Sequence, residues 1–143
     1  MAFNDVLLGE LEDEIRRLPM GGFVVLQYTG ASHIVEPYSQ LRRLHAGFYC
    51  EVVSEHYIDR DVWPIDRRWL AAAGWLAPSL AEPSNWWRIA QAPSQSARAL
   101  VDGLVRGRRC PDPEAFLWYS DWPSPGGGGE PGPQPALRLV RAS

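Results

Sequence analysis

From Asp5 to Leu18 the apolar residues Leu7, Leu8, Leu11, Ile15 and Leu18 recur at helical spacing, with Glu10, Glu12, Asp13, Glu14, Arg16 and Arg17 at the other positions. The pattern predicts one amphipathic helix. Asn4 or Asp5 can accept a hydrogen bond from a first-turn amide, and Pro19, Gly21 and Gly22 stop the helix. Phe23 to Tyr28 is a short β-favouring run, apolar enough for a central strand, and Thr29-Gly30 ends it. Tyr38 to Leu44 and Phe48 to Ser54 flank His45-Ala46-Gly47, whose glycine supplies the positive φ of a tight hairpin loop. The intervening Ala31 to Pro37 lengthens either neighbouring strand or forms an edge of its own.

Ile65, Trp69, Leu70 and Ala73 again share a helical face, with Pro64 in the first turn and Gly74 just past the end. A connection through Pro78 and Pro83 leads to Asn85-Trp86-Trp87-Arg88-Ile89, which reads as a strand. Ser94 or Ser96 then caps a third helix with the stripe Ala97, Leu100, Val101, Leu104 and Val105, closed by Gly107, and Phe116 to Tyr119 offers a last short strand. The expected order is α-β-β-β-α-β-α-β, an α+β fold with an antiparallel sheet packed by helices. Residues 1–122 form its single domain, and 123–143 a flexible Pro/Gly-rich tail without an apolar face to offset the entropy of ordering. The four glycines Gly126 to Gly129 are not a phosphate-binding loop, because no Gly-Lys-Ser/Thr follows and no strand precedes them.

Composition changes this picture little. A length of 143 residues suits one core, and 45% hydrophobic with 22% charged residues is ordinary for a globular chain. A formal net charge of -3 supplies no field to attract phosphate, which argues against a dedicated nucleic-acid binder. All 14 basic residues are arginine, which points to GC-rich codon usage, and a bacterial, actinobacterial source is expected. Cys50 and Cys110 are too far apart for a metal knuckle and too few for a disulfide scaffold, so two reduced thiols are expected. The opening residues carry neither a basic and apolar leader nor a run of ~18 apolar residues, and a cytoplasmic, membrane-free protein is expected.

Candidate chemistry is sparse. His33, His45 and His56 with Cys50 match no zinc spacing, so no metal and no cofactor are expected. Ser54, Glu55, His56, Asp59 and Asp61 bring hydrolytic residue types together after the third strand, and a small hydrolase using Ser54, His56 and Asp59 is the enzymatic alternative. No nucleophile elbow accompanies Ser54, and such clusters are commonly solvated turns, so no catalytic residue is assigned. Arg106, Arg108 and Arg109 follow the third helix, where cations complement the helix dipole, and Arg42 and Arg43 lie on a strand near aromatic residues. Nucleic acid is not the expected partner of either group, given the acidic balance. Of the seven tryptophans, Trp63, Trp69, Trp75, Trp86, Trp87, Trp118 and Trp122, most are expected in the core. Trp86 and Trp87 must face opposite sides of their strand, so one ring covers the second face of the sheet, under a helix or the tail, or serves as a contact.

Leu18-Pro19-x-Gly21-Gly22-Phe23-Val24-Val25-Leu26, Tyr38-Ser39-Gln40-Leu41 and Cys50-Glu51-Val52-Val53-Ser54, followed by Ala73-Gly74-Trp75, Pro78 and Asn85-Trp86-Trp87-Arg88, carry a family pattern over roughly Leu7 to Tyr119. The chain resembles the TY-Chap family, departing from it at Ser39 and Ala73, where aliphatic residues are usual. The resemblance implies a type III secretion chaperone-like α+β sandwich, a dimeric and non-enzymatic protein, and binding of a protein client on apolar surface. The expected protein is thus a cytoplasmic, homodimeric chaperone-like module or adaptor that meets its client through the open sheet face or the first helix. An immunity or antitoxin protein is the remaining alternative, since it uses the same binding physics on a different target.

Overall fold

A computed structural model describes residues 5–31, 35–122 and, for the backbone, 138–141. The first helix, α1, runs Asp5–Arg17 and buries Leu7, Leu11 and Ile15, as the spacing predicts. It also buries Glu14, whose carboxylate accepts the Ser120 hydroxyl at 2.5 Å and an Arg17 N–H at 2.5 Å. A tight turn follows, with Gly21 at a φ of 82° and the Gly22 N–H donating to the Pro19 carbonyl.

The strands are β1 Phe23–Tyr28, β2 Tyr38–Leu44, β3 Gly47–Val52, β4 Trp86–Ala90, β5 Phe116–Asp121 and β6 Arg138–Arg141. They form one antiparallel sheet in the order β4-β3-β2-β1-β5-β6. β1 is internal, between β2 and β5, as its continuous apolar run requires. The β2–β3 hairpin closes with Leu44 opposite Gly47, whose φ of 143° suits only glycine. β6 is an addition to the expected order: residues 138–141 pair with β5, while residues 123–137 of the expected tail lie outside the described residues. The Leu139-Val140 pair favours a strand, but the Pro/Gly-rich stretch before it hides that signal.

The second helix, α2, is shorter than expected, Arg67–Ala72, because Asp66 is its N-cap and accepts from the Trp69 N–H at 2.9 Å; Pro64 precedes the helix. Gly74 follows the end at a φ of 98°, as its position predicts. The third helix, α3, spans Pro93–Asp102 with Pro93 in its first turn, and neither Ser94 nor Ser96 caps it. Ser96 instead donates back to the Ala92 carbonyl at 2.8 Å, and the Gln95 side chain accepts the Gln91 N–H. The helix then widens into a π turn, Gly103–Gly107. A Cβ on Gly107 would lie 2.8 Å from Leu70 Cδ2, so glycine lets the wide turn seat directly on α2.

The helices cover one face of the sheet. Alternate strand residues Val24, Leu26 and Tyr28, Ser39 and Leu41, Phe48, Cys50 and Val52, Trp86 and Ala90, and Phe116 and Trp118 enter the core with the buried faces of α1 and α3. Ser39 joins it because its hydroxyl donates to the Leu100 carbonyl of α3 at 2.9 Å, which accounts for a polar residue where an aliphatic one is usual.

Candidate functional site

The Ser54 cluster forms two consecutive turns, in which the Tyr57 and Ile58 N–H groups donate to the Ser54 carbonyl and those of Val62 and Trp63 to Asp59. Ser54 is buried, and its hydroxyl donates to the Ser84 carbonyl at 2.5 Å while accepting the His56 backbone N–H at 3.1 Å. The His56 ring is exposed and bonds to neither Ser54 nor Asp59, whose carboxylate accepts the Asp61 N–H at 2.8 Å. Glu55 accepts the Trp86 indole N–H and pairs with Arg67. Ser54, Glu55 and Asp59 therefore hold the turns, and the hydrolase alternative gains no nucleophile–base pair from the cluster. His33 lies outside the described residues, His45 sits exposed in the hairpin loop, and Cys50 is buried in the core. Among the described residues no three His, Cys, Asp or Glu side chains converge as metal ligands.

The basic cluster divides. Arg106 is exposed, and Arg109 is exposed and pairs with Asp66 at 2.9 Å. Arg108, expected with them at the end of the third helix, is fully buried. Its guanidinium donates to the carbonyls of Ile58 and Trp63 at 2.9 Å each and of Val53 at 3.3 Å, and burial pushes its pKa down from the ordinary arginine value. It ties the turns after β3 to the end of the π turn. Arg43 is likewise engaged, donating to the Leu18 carbonyl at 2.5 Å and lying 6.0 Å from the Phe48 ring centroid.

Six tryptophans line or pack against the core. Trp87 does not. It faces the opposite side of the sheet, where no described helix packs, and stacks on Tyr49 with centroids 5.7 Å apart. The strand register arranges that side in rows. Asp121, Phe23, Arg42, Tyr49 and Ile89 lie side by side across five strands, and Tyr119, Val25, Gln40, Glu51 and Trp87 form the next row. Most of these side chains are half-buried, Arg42 and Ile89 are exposed, and burial raises the pKa of both Tyr49 and Tyr119, with further rises from Glu51 and Asp121 respectively. Arg42 lies 5.8 Å from the Phe23 ring centroid, and Gln40 donates to Glu51 at 2.6 Å. A concavity of about 440 Å³ opens where the rows meet the β2–β3 hairpin. This surface sets the aromatic residues Phe23, Tyr49, Trp87 and Tyr119 among the polar Gln40, Arg42, Glu51 and Asp121, a mixture found at binding faces. Sequence reasoning singled out Trp87 but missed Phe23, Gln40, Tyr49 and Glu51, whose signal lies in the alternate positions of strands read as continuous apolar runs.

A helix layer on one antiparallel sheet face, with an aromatic second face on which no described helix packs, defines an α+β binding module. Residues 7–123 match the family model TY-Chap3, described as the T3SS (YopN, CesT) and YbjN peptide-binding chaperone 3, and the chain belongs to this family of peptide-binding chaperones. No curated protein and no solved structure matches the chain. No described helix is long and apolar enough to cross a membrane.

Proposed function

We propose that the chain works as a chaperone-like module that holds an extended segment of a client protein on the open face of its sheet. The observation that carries this reading is the stacked Tyr49–Trp87 pair, set among aromatic and aliphatic neighbours on a face where no described helix packs. Apolar client side chains would exchange contact with water for contact with these rings, while Gln40, Glu51 and Arg42 supply polar anchors. Rows on a strand repeat about every 7 Å, the spacing of alternate residues in an extended peptide. The first helix is the weaker alternative, because Leu7, Leu11 and Ile15 are already spent in the core.

Binding of this kind needs no bond chemistry, and the engaged hydroxyl of Ser54 fits a non-enzymatic role. A secretion-type or adaptor task, a homodimer and a cytoplasmic location belong to the same proposal and draw their support from family membership. The test is to pan a random peptide library on the purified chain and on a Tyr49→Ser/Trp87→Ser variant of confirmed helical content. Enrichment on the wild type that is lost on the variant supports the reading. Equal enrichment on both overturns the assignment of the face.

A further inference from the structure

We infer that the Arg42 corner of the open face selects client segments in which a large apolar side chain lies next to a carboxylate. This rests on the peptide-binding reading and adds a sequence preference to it. The corner is the concavity of about 440 Å³, within the ~300–1,000 Å³ of small-ligand sites. Phe23, Leu44 and Tyr49 form its apolar walls, and Gln40, Arg42 and Glu51 its polar ones. Leu44 is exposed because its cross-strand partner is Gly47, which has no side chain to cover it. An apolar client side chain would fill the space that the missing one leaves.

The charges of the corner are unequally committed. Glu51 accepts the Gln40 amide at 2.6 Å. The second arginine of β2, Arg43, is turned to the other side and bonded to Leu18. Arg42 has no carboxylate partner among the described residues. It is exposed, stands between its cross-strand neighbours Phe23 and Tyr49, and has its guanidinium 5.8 Å from the Phe23 ring centroid. A planar guanidinium steadied by a ring and lacking a counter-ion is matched by a carboxylate, which it can bind through two parallel N–H groups. Neutral peptides would leave that capacity unused, and a carboxylate would lie on the Arg42 side of the corner, away from Glu51.

The experiment compares random-library selections on the full chain and on its Arg42→Glu variant, with peptide affinities then measured by fluorescence polarisation. Arg42 is exposed, so the variant should melt at the wild-type temperature, and an Arg42→Gln variant separates loss of charge from its reversal. Wild-type selection should enrich leucine, isoleucine or phenylalanine beside aspartate or glutamate. On Arg42→Glu the same peptides should weaken about fivefold, and versions with lysine for the acid should strengthen, both effects shrinking at high salt. Apolar enrichment without an acidic neighbour, or an acidic preference unchanged in Arg42→Glu, overturns this inference and leaves the peptide-binding reading standing. No enrichment on the wild type overturns both.

Discussion

Replacing Arg108 by methionine removes a fully buried guanidinium while roughly keeping its length, and it leaves the carbonyls of Val53, Ile58 and Trp63 without their donor. Two of those bonds are 2.9 Å long and the third 3.3 Å. An unsatisfied buried acceptor costs about 1–3 kcal/mol, and the lost burial penalty of the charge offsets part of the sum, so a net loss of about 3 kcal/mol is expected. That is a large share of the ~5–15 kcal/mol that holds a domain folded, and it lowers the melting temperature by roughly 10 °C. Arg108→Lys keeps the charge but not the fork of donors and should lose about 2 kcal/mol. Arg109→Met breaks only the exposed pair with Asp66 and should cost under about 1 kcal/mol. Urea unfolding followed by tryptophan fluorescence measures all three. Equal, small losses for the Arg108 and Arg109 variants would refute the stabilising role of the three Arg108 bonds.

Ser39→Ala leaves the Leu100 carbonyl without the Ser39 hydroxyl and should cost about 1 kcal/mol in the same assay; a gain in stability would show that the bond is not needed. Burial pushes the Cys50 thiol up to about 12, against a smaller opposing effect of Arg88, and the Cys110 thiol up to about 12, against Trp63 and Arg108. Both should resist Ellman's reagent in the native protein and react on unfolding. Because the folded chain keeps these protons above the ordinary thiol value near 9, stability should be undiminished by them below about pH 9 and fall as pH rises towards 12, which alkaline urea titrations would detect.

The periodic segments were legible in the sequence because a single physical signal marks each. Leu7, Leu11 and Ile15 set α1, and Gly47 and Gly74, both at positive φ, mark the hairpin and the end of α2. The caps were less legible, since Asp66, Ser94 and Ser96 are equally able acceptors and tertiary packing chose Asp66 for α2 and none of the serines for α3. The burial of Arg108 was not legible at all: its three acceptors lie 45 to 55 residues away in the chain, and only the fold assembles them. The open face was half legible. The adjacency of Trp86 and Trp87 requires two faces, but the rows through Phe23, Arg42 and Tyr49 depend on strand order and register, which β-favouring runs do not specify.

On the proposed function, the sheet face that no described helix covers, and not the helix layer, holds the client. The most direct test is amide chemical-shift mapping of the isotopically labelled full chain, titrated with the peptide most enriched in the library selection. Shifts should concentrate on Phe23, Gln40, Arg42, Tyr49 and Trp87, with α1 and α3 little changed. Saturable shifts confined to α1 or α3, with the two rows of the sheet unmoved, would contradict it.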